Sequence, residues 1–149
     1  VRQPGTILLV EDNQDDVDLT MRVLKKHKLA NEVVIARDGA EALNYLLADE
    51  RIDDEGVWVY PHLVLLDVNL PKVTGHEVLR AIRSNRRTKM LPVVMLTSSK
   101  EDRDIIESYD SGANSYIQKP VSYEDFSEAV RQLGFYWLLL NQAPTQKPA

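Results

Sequence analysis

Five short apolar runs recur along the 149 residues, each followed by a segment whose apolar residues return at helical spacing, and this alternation most narrows the possible folds. The runs are TILLV at 6–10, EVVIA at 32–36, LVLLD at 63–67, LPVVMLT at 91–97 and SYIQ at 115–118. Runs of this length between turn signals read as strands. Asn13 can cap a first helix whose inner face carries Val17, Met21 and Leu24, and Asp38-Gly39 introduces a second with Ala42, Leu43, Leu46 and Leu47 on its apolar side. A polar loop spans about 48–60. The third strand leads through Asn69-Leu70-Pro71 into a helix around Val78, Leu79 and Ile82. A charged fourth helix from about Lys100 to Tyr109 ends at Gly112, a residue tolerant of positive φ. Ser122 with Asp125 resembles a capping box opening a fifth helix that carries Phe126, Val130, Leu133 and Trp137.

Five β-α units imply a parallel α/β sheet covered on both faces, because each crossover helix must pack back onto the sheet. One domain is expected over residues 1–140, and the Pro-rich, polar residues 141–149 read as a mobile tail. The chain has no Cys, which removes disulfides, thiolate zinc sites and a cysteine nucleophile. Its net charge of -5 argues against nucleic acid as a partner, since phosphate binding needs a basic footprint. No apolar run approaches the ~20 residues of a membrane span, and residues 1–5 lack the apolar stretch of a signal peptide. A cytoplasmic protein without membrane attachment is expected.

Chemistry gathers where the strands end. Asp67 closes the apolar run Leu63-Val64-Leu65-Leu66, and an ionised carboxylate buried there without compensation would cost several kcal/mol, on the order of 3–5. In parallel α/β sheets the carboxyl edge is where ligands bind. Glu11 and Asp12 follow strand one, Thr97 closes strand four and Lys119 follows strand five, so all converge on that edge with Asp67. Three carboxylates together repel one another unless a cation relieves them, and oxygen ligands select a hard ion such as Mg2+. The set suits Mg2+ and a phosphoryl group. Asp67 would be the nucleophile, Lys119 would neutralise charge on the transferring group, and the Thr97 hydroxyl would hydrogen-bond a phosphoryl oxygen.

With Glu11-Asp12, Asp67, Thr97, Tyr116 and Lys119-Pro120 each on or after the expected strand, the chain resembles the receiver domain of two-component response regulators over roughly residues 6–140. The resemblance implies a flavodoxin-like, doubly wound five-stranded sheet of order 2-1-3-4-5, and phosphorylation of Asp67 by the phosphohistidine of a sensor histidine kinase. It implies that Glu11, Asp12, Asp67 and the backbone carbonyl of Asn69 hold Mg2+ and that the Lys119-Pro120 bond is cis. Thr97 and Tyr116 correspond to a switch pair, the threonine moving to the phosphate while the ring turns inward. The surface of helix four, strand five and helix five would then carry the signal, with slow self-hydrolysis resetting it past Asn69 and Ser99. Ser98 stands where many receivers have Ala. The longer loop at 53–60, with no output domain, is similar to the small response regulators of bacterial phytochromes, which makes a phytochrome kinase the expected partner and allows a downstream phosphorelay protein.

Other features read more plainly. Arg80, Arg83, Arg86, Arg87 and Lys89 read first as a solvated helix face and its following loop, with kinase docking second. His27, His62 and His76 lack metal-site spacing and suit structural or surface roles. Phe135, Tyr136, Trp137, Leu138 and Leu139, followed by Leu140, put apolar groups around a whole helix circumference, where packing on a sheet needs one stripe. A homodimer through that face is expected.

Three other functions fit the sequence less well. An Asp-nucleophile phosphatase of the haloacid dehalogenase type expects a second Asp two residues after the nucleophile, where this chain has Asn69. In a flavodoxin-like nucleotide or flavin carrier, Glu11-Asp12 would repel the phosphate. A phosphorylation-independent adaptor would have no use for the full acceptor set.

Overall fold

A computed structural model describes residues 6–27, 32–47, 61–98 and 112–132 of the chain. The expected helix at about 100–109, the loop at 48–60, Ser99, the apolar face at 135–139 and the tail at 141–149 lie outside the described residues.

The strands are β1 (Thr6–Val10), β2 (Glu32–Ala36), β3 (Leu63–Asp67), β4 (Val93–Thr97) and β5 (Ser115–Gln118). They form one parallel sheet in the order β2-β1-β3-β4-β5, as expected. The helices are α1 (Gln14–Lys26), α2 (Gly39–Leu47), α3 (Gly75–Ser84) and α4 (Tyr123–Gln132), the last being the fifth helix of the sequence reading.

Successive side chains of a strand point to opposite faces, so β1 divides its apolar residues between two cores. Ile7 and Leu9 join Leu63, Leu65, Val94, Leu96 and Ile117 beneath Val17 and Leu24 of α1 and Phe126 and Val130 of α4. Leu8 and Val10 join Val64, Leu66, Val93 and Met95 beneath Ala42 and Leu46 of α2 and Val78, Leu79 and Ile82 of α3. Helices therefore cover both faces, and β1, β3 and β4 are buried almost throughout. Fully burying one such aliphatic side chain is worth roughly 1.5–3 kcal/mol, so these two layers hold the sheet rigid beneath its polar rim.

Local signals set the helix starts. Asn13 Oδ1 accepts from the Asp16 N–H at 3.0 Å to cap α1, as expected. Thr74 and Glu77 form a reciprocal capping box at α3, and the Asp125 N–H donates to Ser122 Oγ at 3.1 Å before α4. On α1, Thr20 is buried beside Val17 and Leu24, while Met21 is only half-buried against the core.

Two expectations are corrected. Strand four begins at Val93, not Leu91, because the Leu91 N–H bonds the Thr88 carbonyl in a turn, the Leu91 carbonyl accepts from Arg83, and Pro92 has no N–H. Arg83 is not part of a solvated face. Its guanidinium donates to the carbonyls of Gly112 at 2.8 Å, Lys89 at 3.0 Å and Leu91 at 2.8 Å, and to Asn114 Oδ1 at 2.9 Å. Asn114 Oδ1 also accepts from the Val93 N–H, so Arg83 and Asn114 tie together the chain entering β4 and β5. Gly112 adopts φ +99°, and a Cβ there would approach Arg83 Nε to 3.1 Å.

Candidate functional site

Register brings the site together. Val10 pairs with Ala36 and Leu66, Asp67 with Leu96, and Thr97 with Gln118, so the strand ends are nearly level. The Glu11 N–H donates to the Ala36 carbonyl at 2.9 Å and the Lys119 N–H to the Thr97 carbonyl at 2.8 Å, which fixes the backbone just past β1 and β5. By strand alternation Glu11, Asp67 and Lys119 continue the rows of Leu9, Leu65 and Ile117 on the α1 and α4 side. Thr97 and Tyr116 belong to the opposite row.

Glu11 and Asp67 are 1% and 2% exposed, whereas Asp12 is open to solvent. Glu11, Asp12 and Asp67 can each direct one carboxylate oxygen so that all three lie within 4.8 Å of one another. Lys119 Nζ is 3.3 Å from Asp67 Oδ2 and 3.2 Å from Glu11 Oε1. Residues separated by as many as 108 positions thus share one charged centre. The Asn69 N–H donates to Asp67 Oδ1 at 3.1 Å, leaving the other oxygen toward Lys119. Lys119-Pro120 is cis, as expected.

The loop after β3 is built tightly against the acceptor strand. Lys72 has φ 67° at the centre of a three-residue turn closed by the Val73 N–H on the Pro71 carbonyl at 2.7 Å. Gly75 then donates to the Val68 carbonyl at 3.1 Å, and a Cβ on Gly75 would lie only 2.2 Å from the Asp67 carbonyl oxygen. Any side chain at 75 would push α3 off the strand that carries Asp67.

Electrostatics follow from this crowding. Burial raises the Glu11 carboxyl to about 8, reinforced by its hydrogen bond to Asp67 and by the Asp67 charge, with Lys119 opposing. Burial alone would lower the Lys119 ammonium, but the Asp16 hydrogen bond and the charges of Asp67 and Glu11 outweigh it and raise the group above its ordinary value. Among the described residues one ammonium does not balance the surrounding carboxylates. The all-oxygen donor set therefore fits a hard divalent cation, which would take the place of the proton on Glu11.

Thr97 is buried at the end of β4, and Tyr116 is 37% exposed on β5. The structure adds a residue absent from the sequence reading. Asp16, in the first turn of α1, places Oδ2 2.9 Å from Lys119 Nζ. Its spacing of four from Asp12 was the available signal, but Asp15, Asp16 and Asp18 read equally well as acids favoured near a helix N-terminus. Among the histidines, His62 Nδ1 accepts from the Thr6 N–H at 3.3 Å and His27 stacks on Tyr123 with centroids 4.2 Å apart, which are structural contacts.

Comparison with known proteins agrees with this geometry. Residues 7–131 match the response regulator receiver domain family. The "Probable methanogenesis regulatory protein FilR2" of Methanothrix harundinacea is 42% identical over 141 residues, covering 95% of this chain and 88% of that one. The solved structure of the bacteriophytochrome response regulator AtBRR has a TM-score of 0.78 and 46% identity, covering 93% of this chain and 98% of that one. The Mn2+-bound form of response regulator Rcp1 has a TM-score of 0.68 and 36% identity, covering 97% of this chain and all 100% of the other. A five-stranded parallel sheet with an acidic cluster and a lysine at its carboxyl edge, together with these matches, makes this chain a member of the response regulator receiver domain family, signalling proteins that sensor kinases phosphorylate and that are not true enzymes.

Proposed function

We propose that this protein is a response regulator whose receiver domain accepts a phosphoryl group on Asp67 from the phosphohistidine of a sensor histidine kinase. The observation that carries the reading is the buried Asp67 carboxylate, 3.3 Å from Lys119 and within reach of an oxygen cluster shared with Glu11 and Asp12. An Asp67 oxygen attacks phosphorus, the P–N bond to the imidazole breaks, and the neutral imidazole leaves with its electron pair. No general base is needed, since ionised Asp67 is already nucleophilic. Lys119 neutralises charge on the phosphoryl oxygens, and the Thr97 hydroxyl donates to one of them. Glu11, Asp12, Asp67 and the Asn69 carbonyl would hold Mg2+, which supplies further charge neutralisation when bound.

Thr97 and Tyr116 act as the switch. Movement of Thr97 toward the phosphoryl group frees space for the Tyr116 ring, now partly exposed, to turn inward and reshape the surface of β5, α4 and the expected helix at about 100–109. Slow hydrolysis of the acyl phosphate resets the protein. The likeness to the bacteriophytochrome response regulator AtBRR supports a phytochrome kinase as the partner in the cytoplasm, with a phosphorelay protein able to receive the signal downstream. The apolar sequence run Phe135, Tyr136, Trp137, Leu138 and Leu139 supports a homodimer, and sedimentation showing monomer alone at high concentration, with and without phosphorylation, refutes that part.

The deciding experiment uses Asp67→Asn. The variant should take up no labelled phosphate from a candidate kinase or from acetyl phosphate, and should melt as cooperatively as the parent. Label persisting in that variant would place the acceptor elsewhere.

A further inference from the structure

Among the described residues three carboxylates hold Lys119, and two of them belong to the acceptor and metal cluster. The third, Asp16 Oδ2, is the nearest at 2.9 Å, against 3.2 Å for Glu11 and 3.3 Å for Asp67. An ammonium has three N–H donors, and its hydrogen bonds run to Asp16 Oδ2 at 2.9 Å and to the two Glu11 oxygens at 3.2 and 3.5 Å, while Asp67 pairs with it by charge. Asp16 differs from the other two in place and exposure. It comes from the first turn of α1, lies outside the Glu11, Asp12 and Asp67 group, and is 28% exposed where they are 1% and 2%. Its backbone N–H is fixed by Asn13 Oδ1, so helix capping sets where its carboxylate stands.

We propose that Asp16 is a positioning residue that restrains Lys119 in the unphosphorylated protein and competes with the incoming phosphoryl group for the ammonium. The inference deepens the reading of Asp67 as phospho-acceptor and rests on it. Converting the Asp67 carboxylate to an acyl phosphate replaces one negative charge by about two and adds three acceptor oxygens, all needing donors. For Lys119 to serve them it must surrender a partner. Asp16 is the partner that water can most readily serve instead, because it alone is substantially solvated. Its negative charge also opposes the entry of an anionic donor. Both effects act in the same direction, so removing the charge at 16 speeds phosphoryl uptake. Asp16 thereby raises the threshold for uptake from small anionic phosphodonors.

The test compares the full chain with Asp16→Asn and Asp16→Glu, using acetyl phosphate and Mg2+. In each case an Asp67 oxygen attacks phosphorus and acetate leaves. Asp16→Asn should raise the second-order labelling rate roughly three- to tenfold, the size expected when one nearby charge is removed from a partly solvated site. Asp16→Glu retains a charge within reach of Lys119 and should stay near the parent rate. A second measurement follows the phosphoryl mimic beryllofluoride with Mg2+, whose binding should tighten by a similar factor in Asp16→Asn and not in Asp16→Glu. A merely structural role would lower stability and slow uptake in both variants. Slower or unchanged labelling and mimic binding in Asp16→Asn, or equal gains in both variants, overturns the proposal. If the parent is labelled on Asp67 while Asp16→Asn shows no gain, the acceptor reading stands and the restraint falls. If label survives Asp67→Asn, or the parent takes none, both fall.

Discussion

Two cationic side chains occupy opposite edges of the same sheet and are held in opposite ways. At the amino edge Arg83 meets neutral partners, three backbone carbonyls and the Asn114 amide oxygen, each at 2.8–3.0 Å. At the carboxyl edge Lys119 meets three carboxylates, two of them almost wholly buried. Neutral dipoles satisfy a guanidinium without leaving surplus charge, so the amino edge is a finished structural joint. Burial lowers Arg83 from its ordinary value, with no countervailing charge among the described residues. Among the described residues the carboxyl edge carries more negative charge than one ammonium can balance, which suits it to take up a cation. A cation buried among dipoles marks architecture, and a cation outnumbered by carboxylates marks chemistry.

Substitutions that exchange the two roles would break this contrast. The largest effect is expected for Lys119→Ala, which should reduce phosphoryl uptake by about 10²-fold or more, because it removes a charge aimed at the transferring group. Stopped-flow or gel-based labelling with acetyl phosphate checks it, and an uptake rate within a few-fold of the parent would remove Lys119 from the chemistry. Next, Arg83→Ala should cost about 2 kcal/mol in urea unfolding, since several part-buried acceptors lose a charged donor, while changing uptake little. Should Arg83→Ala slow uptake as severely as Lys119→Ala, the two edges are not separable. A third test sharpens the electrostatic side. Glu11 has its carboxyl raised above the unfolded value of 4.5 to about 8, so the metal-free folded state binds a proton that the unfolded chain releases. Glu11 therefore contributes stability that is fully present below 4.5 and is lost as pH rises toward 8. Glu11→Gln should flatten this part of the melting-temperature profile between pH 5 and 8, and an unchanged slope would show that Glu11 does not hold that proton.

Much of the scaffold could be read from the chain before any coordinates. β1, β2, β3 and β5 begin and end where their apolar runs do, since each run is short and bounded by turn residues. Strand four was read two residues early because Leu91-Pro92 continues the apolar run, while its backbone partners come from a turn and from Arg83. The candidate site was legible in Glu11, Asp12, Asp67, Thr97 and Lys119, because in a parallel sheet residues following the strands must arrive at one edge. Asp16 was not legible, since acids in a first helical turn are common for reasons of the helix dipole alone. In sequence Arg83 resembles a solvated residue for a related reason. An arginine in a basic cluster on a helix looks solvated until the chain 29 residues later closes over it.

Local pattern determines the number and direction of the strands, the helix caps and the edge to which the carboxylates and Lys119 are delivered. These depend on periodicity and on the handedness of β-α connections, which neighbouring residues encode. The partition of Lys119 among Asp16, Glu11 and Asp67, the raised Glu11 carboxyl and the closure of Gly75 on Asp67 belong to the folded chain alone. They arise from distances between groups as many as 108 residues apart and from the burial that the assembled sheet and helices impose.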